Sequence, residues 1–173
     1  NLARFDGIRY GARRGDGDLQ SIYRETRSAG FGAEVKRRIL LGTFVLSHGY
    51  YEAWYGRALA QRAALAAEFR AAFEQVDVIA GPTTPTPAFL LGEKSSDPLA
   101  MYLADALTVP ASLAGLPAVS GPAGFAREGE RDLPIGLQLI GPSGQDAELL
   151  AVARGFEAAT DHHRARPPAF VEA

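Results

Sequence analysis

A chain of 173 residues, 47% of them hydrophobic and 22% charged, carries about one domain's worth of core material. A formal net charge of −2 argues against a domain that holds nucleic acid by its own field, because phosphate binding needs clustered positive charge. The absence of cysteine removes both a disulfide framework and a thiolate zinc site and makes a cytoplasmic setting the default, and no apolar run reaches the roughly 18 residues of a membrane span.

In chain order, "NLARFDGIRYG" opens at Asn1 with neither an initiator methionine nor a signal-peptide pattern, and reads as the interior of a longer enzyme. Residues 18–29 alternate polar and apolar at loose helical spacing; Gly30 and Gly32 interrupt, and a second helix is expected from Ala33. Between Tyr50 and Val76, the apolar residues Ala58, Leu65, Phe69, Ala72, Phe73 and Val76 recur at helical spacing among Arg62, Glu68, Arg70 and Glu74, which predicts one long amphipathic helix. "DVIAG" (77–81) predicts a short buried strand, and "PTTPTPAF" (82–89) has too many prolines for anything but a loop.

Asp97 as N-cap and Pro98 at the first helical position predict a helix over 98–107 that stops before Pro110. "PAVSGP" (117–122) and "LPIGLQLIG" (133–141) read as strands, the second with Ile135, Leu137 and Leu139 on one face, and "REGERD" (127–132) as a turn between them. Ser143 and Asp146 resemble a capping box opening a last helix that buries Leu149, Val152 and Phe156, before an extended tail over 164–170. Strands alternating with helices give an α/β class with a helix-covered sheet.

Two charged residues do not suit their predicted surroundings. At about 100° per residue, Val35, Ile39, Gly42 and Leu46 share one side of the second helix. Arg37 projects opposite them, and Arg38 lies about 60° from Val35, at the edge of the stripe and aimed inward. A guanidinium there keeps its charge and needs a carboxylate, either Glu34 four residues earlier or one borne by a ligand. Asp105 falls in the last turn of the helix over 98–107, where the macrodipole disfavours an acid, and it is the only charge in "MYLADALTVP". It is either a solvated residue or the partner of a cation. An Arg and an Asp on separate helices suit the carboxylate and ammonium of a free amino acid, and equally suit each other.

Familiar catalytic patterns are missing. There is no G-x-S-x-G elbow and no phosphate-binding G-x-x-x-x-G-K-[ST] loop, and "GFGAEV" lacks the third glycine of a dinucleotide fingerprint and reads as a helix start. His48, His162 and His163 show no metal-ligand spacing, the last two being expected at an exposed helix end. Lys36 and Lys94 have no evident nucleophile beside them to act on as general base.

"NLARFDGIRYG", "GFGAEVKRRILLGTFVLSHGYYEAWYGRA", "DVIAGPTTPTPAF", "DPLAMYLADALTVPASLAGLPAVS" and "LPIGLQLIG", in that order, resemble the C-terminal part of the amidase-signature family over nearly the whole chain. The first two stretches resemble the glutamine-hydrolysing subunit of tRNA-dependent amidotransferases, and the last is shared by amidases more widely. The resemblance implies an α/β/α sandwich with a mixed central sheet, of which residues 1–173 form a single C-terminal portion. It also implies a nucleophilic serine, a second serine and a lysine, all upstream of this stretch, so that the fragment alone is expected to be inactive.

Arg38, the second arginine of "KRRI", matches the family residue that takes the α-carboxylate of glutamine, and Asp105 matches the one that takes its α-ammonium. The implied reaction releases ammonia from glutamine. The ammonia passes to a partner subunit, which uses ATP and Mg²⁺ to convert glutamyl-tRNA(Gln) to glutaminyl-tRNA(Gln). A small third subunit completes the cytoplasmic complex, the tRNA is handled mainly by the partner subunit, no membrane is involved, and this chain itself holds no cofactor. Two alternatives stay open: a stand-alone amidase on another carboxamide, in which Arg38 and Asp105 are structural, and a non-catalytic module docking through the helix at 50–76.

Overall fold

A computed structural model describes residues 2–47, 49–95 and 97–167, and the chain divides into two compact units, Asn1–Leu59 and Ala60–Ala173. The expectations for His48 and for residues 168–170 of the tail lie outside the described residues.

In the first unit, helix α1 (Leu19–Gly30) starts where expected, because the Asp18 carboxylate accepts the Ser21 N–H at 2.8 Å and satisfies one of the orphan donors of the first turn. Ile22 and Thr26 are its buried residues. Thr26 Oγ1 accepts the Arg14 N–H at 3.0 Å and donates to the Arg14 carbonyl at 3.2 Å, so one hydroxyl fastens the preceding loop to the helix. Gly7 belongs to the same arrangement: its φ is +78°, and a Cβ there would stand 2.6 Å from Thr26 Oγ1. Helix α2 (Ala33–Val45) begins at the expected residue, and Lys36 Nζ ties it back to α1 through the Ser28 carbonyl at 2.8 Å.

The helix expected over 50–76 is divided. Tyr51–Gly56 is wound as a π-helix, and α3 (Arg57–Ala72) continues as an α-helix. Leu65, Phe69, Ala72 and Phe73 are half-buried as the spacing required, whereas Ala58 is exposed and Val76 lies beyond the helix end, also exposed.

The second unit is organised by three antiparallel strands, β1 (Ile79–Pro82), β2 (Ala118–Glu128) and β3 (Arg131–Ile140), in the order β1-β3-β2. This is the α/β class read from the sequence, and no helix among the described residues is long and apolar enough to cross a membrane. "DVIAG" contributes an edge strand that is only half-buried, not a buried one. "REGERD" supplies a turn of only two residues, Gly129 and Glu130; its outer residues pair across the hairpin, Arg127 with Asp132 and Glu128 with Arg131. Gly129, with φ +60°, takes the first central position, where a glycine-led hairpin turn demands positive φ.

Prolines inside strands are tolerated for local reasons. Pro122 lies on outer strand β2, and Pro134 lies on β3 beyond the reach of β1, next to a register shift between Pro122 and Phe125. Gly124 provides the φ of +115° at that bulge.

The last long helix is separated from α3 by two short ones, α4 (Pro98–Leu103) and α5 (Val109–Ala114), and is therefore α6 (Asp146–Ala159); it covers β2 and β3 and buries Leu149. Its N-cap is Gln145 without a side-chain bond, so the expected Ser143–Asp146 capping box does not form. Val152 faces solvent, and Phe156 is half-buried.

The carboxyls of Asp6 and Asp18 are held below their usual value of 3.8, in each case first by a bond from a backbone N–H, of Ile8 and of Ser21 respectively. A depressed folded value means stability that is fully present above 3.8 and is lost as pH falls below it and through the lower folded value. Asp18→Ala is therefore expected to unfold at lower denaturant than the parent near neutral pH, with the gap closing on acidification below that range. A gap independent of pH in denaturant titrations would refute the role of the ionised cap.

Candidate substrate-binding site

Asp105 lies in a more permissive place than its sequence position suggests. Asp97 caps helix α4 (Pro98–Leu103) by accepting the Leu99 and Ala100 N–H groups at 2.9 and 3.1 Å, but α4 ends at Leu103 and not at residue 107. A turn follows, and then a second short helix, α5 (Val109–Ala114), which the sequence pattern does not announce. Pro110, expected to mark a stop, stands in the first turn of α5, where its missing N–H has no intrahelical acceptor to serve. Gly115 closes α5 in the left-handed region at φ +74°, with the Leu116 N–H returning to the Ala111 carbonyl at 3.0 Å.

Asp105 thus sits between two helices, just past the end of α4 and just ahead of α5, so that the N-terminal field of α5 opposes the C-terminal field of α4 there. Its carbonyl accepts the Thr108 and Val109 N–H groups at 3.1 Å each. Its side chain is exposed and, among the described residues, makes no ion pair.

The turn is positioned by Gln138. This side chain is 7% exposed in a strand of leucine and isoleucine, and its Nε2 donates to the Leu107 carbonyl at 2.9 Å. Unbonded, a buried amide costs a few kcal/mol, so the bond fixes both groups. Leu107 is two residues from Asp105, and Gln138 is thereby a support of the candidate site. Its signal in the sequence is a lone polar residue inside "LPIGLQLIG", which the strand pattern alone does not mark as functional.

On the same face of the sheet, one row along, Thr83 Oγ1 and Ser120 Oγ meet at 2.6 Å. The opposite face presents Val119, Leu137 and Leu139 to α6 around a cavity of about 400 Å³. His163 lines that cavity with a buried Nδ1 that has no hydrogen-bond partner, and the His162 ring packs 6.4 Å from that of Phe156 and against Gly124. The two histidines are half-buried in a 3₁₀ turn, which corrects the expectation of an exposed helix end. The His162 ring fills the space left by the glycine at the bulge.

Arg38 belongs to the first unit. Its side chain is 65% exposed, more than the 52% of Arg37, so the inward aim expected from the helical wheel is not observed. The reason is that α2 has no fully buried residue in this chain: Val35 and Ile39 of the expected stripe are only half-buried, and Leu46 and the neighbouring Leu40 and Leu41 are exposed. Arg38 Nε reaches Glu34 Oε1 at 2.9 Å while Arg37 Nη1 takes Oε2 at 2.7 Å, so both guanidiniums grip one carboxylate. The i,i+4 pairing is one of the two that the sequence offered.

Of the lysines weighed as bases, Lys36 is bonded to Ser28 and Lys94 lies 4.2 Å above the Phe89 ring. Among the described residues no three of His, Asp and Glu gather as a metal-holding group.

The family profile described as Amidase matches residues 1–150. A protein of Bacillus velezensis (strain DSM 23117 / BGSC 10A6 / LMG 26770 / FZB42), named as a subunit of glutamyl-tRNA(Gln) amidotransferase, is 57% identical to this chain over 168 residues, covering 96% of it and 34% of the relative. Proteins of the same name are 55% identical over 168 residues in Geobacillus stearothermophilus and 56% identical over 168 residues in Cupriavidus taiwanensis (strain DSM 17343 / BCRC 17206 / CCUG 44338 / CIP 107171 / LMG 19424 / R1). The chain therefore spans about a third of the length of the curated relatives it matches. A solved structure described as "Crystal structure of amidase" superposes with a TM-score of 0.56 at 28% identity, over 82% of this chain and 32% of that one.

Replacing Gln138 by Leu should orphan the Leu107 carbonyl and destabilise the protein by about 1–3 kcal/mol. The midpoint of denaturant unfolding reads this directly, and an unchanged midpoint would show that the bond does not hold the turn.

Proposed function

This chain belongs to the amidase family, and from that premise we propose that it is the C-terminal portion of the glutamine-hydrolysing subunit of a tRNA-dependent amidotransferase. The observation that carries this reading is 57% identity along 168 residues to a protein named as a subunit of glutamyl-tRNA(Gln) amidotransferase. In this reading residues 1–173 are a single portion of one amidase domain. The hydrolytic serine, its companion serine and the lysine are contributed by preceding residues, and the fragment alone is inactive. Water and glutamine give glutamate and ammonia. The ammonia is consumed in a partner subunit that handles the tRNA and uses ATP and Mg²⁺, within a cytoplasmic three-subunit complex.

Arg38 and Asp105 hold the substrate at its zwitterionic end. The planar guanidinium takes the α-carboxylate through paired N–H groups, and Asp105 takes the α-ammonium, which aims the side-chain amide at the nucleophile. The present pairing of Arg38 with Glu34 does not oppose this role. An exposed i,i+4 ion pair of this kind contributes only about 0.3–0.5 kcal/mol. Leu40, Leu41, Phe44 and Leu46, exposed in this chain, are the surface that the rest of the domain covers, and that cover leaves Arg38 at the rim of a closed site.

In the full-length enzyme with its partner subunits, Arg38→Lys and Asp105→Asn should each raise KM for glutamine about tenfold or more, since a charge-assisted hydrogen bond contributes about 1.5–3 kcal/mol. Lysine keeps the charge but loses the fork, so near-parental glutaminase kinetics for Arg38→Lys would count against the clamp. The complex should also convert glutamyl-tRNA(Gln) to glutaminyl-tRNA(Gln) with glutamine and ATP. Ammonia release that ignores both partner and tRNA would identify a stand-alone amidase instead.

A further inference from the structure

The chain's net charge of −2 conceals a division between its two units. Residues 1–59 hold ten of the eighteen Lys and Arg but only six of the twenty Asp and Glu, a net of +4, which leaves −6 on residues 60–173. Four of those cations, Arg4, Arg9, Arg13 and Arg14, fall within eleven residues whose only acid is Asp6, and all four are exposed. A field that cancels over the whole chain is thus positive over one loop, and the local field is what a polyanion meets.

The loop is shaped by its own bonds. The Gly7 N–H donates to the Tyr10 carbonyl at 3.0 Å, and the Asp6 carboxylate accepts the Ile8 and Arg9 N–H groups at 2.9 and 3.3 Å, so that the one acid is committed to its own turn. A Cβ on Gly7 would stand 3.1 Å from Arg13 Cα, which places the two arms of the loop side by side. Arg14 is fastened to Thr26 through its backbone N–H and carbonyl, and its guanidinium takes no part in that tie. The exposed Tyr10 ring stands in the same turn, 6.3 Å from that of Phe5 and with the Arg4 guanidinium 5.9 Å over it. Among the described residues Arg9, Arg13 and Arg14 make no ion pair, while Asp18 is committed to the cap of α1 and Glu34 to Arg37 and Arg38.

Exposed arginines on a fixed backbone, short of acids and beside an exposed aromatic ring, suit a phosphodiester chain, whose charge dominates affinity and whose bases stack on such rings. An acidic protein surface would call for the charge but not for the ring. We propose that Arg9, Arg13 and Arg14 contact the phosphate backbone of the tRNA, so that this chain itself helps to hold the RNA that the partner subunit mainly handles. This rests on the amidotransferase reading, which supplies the tRNA.

The test uses the full-length enzyme with its partner subunits and unacylated tRNA(Gln), with the affinity measured at several salt concentrations. Each phosphate contact releases counterions. With Arg9→Gln, Arg13→Gln and Arg14→Gln combined, Kd should therefore rise about tenfold, and the slope of log affinity against log salt should become shallower by about two to three, while KM for glutamine keeps its parent value. Lysine at the same three positions keeps the point charges and should restore both quantities. Arg13→Gln alone, expected to reduce the slope by about one, carries the test should the triple variant fail to fold. Parental affinity and slope in the glutamine variants would overturn the proposal. So would loss of a partner subunit on gel filtration with the salt slope unchanged, which would assign the loop to an acidic protein surface instead. A parent complex that binds no tRNA at all overturns the amidotransferase reading together with the contact, whereas one that binds it indifferently to these residues overturns the contact alone.

Discussion

The hydrogen bond from Gln138 to the Leu107 carbonyl is the constraint on which the turn carrying Asp105 depends. Helices α4 and α5 have six residues each, far too few to persist alone, since isolated helices below about 12–15 residues are marginal in water. What holds them is attachment. Gln138 fixes the turn between them, and Arg62 Nε donates to the Leu113 carbonyl near the end of α5 at 2.6 Å. A buried amide inside an otherwise aliphatic strand is tolerated only with a partner, so strand and turn specify each other.

The same sheet divides its chemistry by face. Val119, Leu137 and Leu139 point to α6 and supply the apolar contact, while Ser120, Gly136 and Gln138 point the other way. Strand alternation makes that division automatic: with a side-chain period of two, neighbouring residues of β3 serve opposite layers. Polar residues in this strand are therefore not defects in a hydrophobic pattern but the other half of it.

The first unit is held differently. Ile22 and Thr26 are its buried residues on α1, and its best-defined tie is the reciprocal bonding of Thr26 with Arg14. Around this small anchor lies a wide exposed apolar surface, including Leu40, Leu41, Phe44 and Trp54. Patches of this kind mark surfaces made to be covered. A chain that spans about a third of its relatives' length fits that description.

Local chemistry made much of this protein legible in its sequence. Asp97 announced its helix because an N-cap acts within three residues, and the strands of "PAVSGP" and "LPIGLQLIG" were visible in their apolar pattern. The α/β class and the amidase resemblance came from the same local patterns. Other features depended on what packs against what. Helix α5 was hidden behind Pro110, the hairpin's true length behind a charged "REGERD", and the half-buried setting of His162 and His163 behind their position after a helix. The outward turn of Arg38 went with an α2 that has no fully buried residue in this chain, and the pairings of Gln138, Thr83 and Ser120 were decided by contacts 31 and 37 residues distant in the chain. Periodicity reports which residues share a face. Only the tertiary structure decides what that face meets, because burial is a property of the neighbour as much as of the residue.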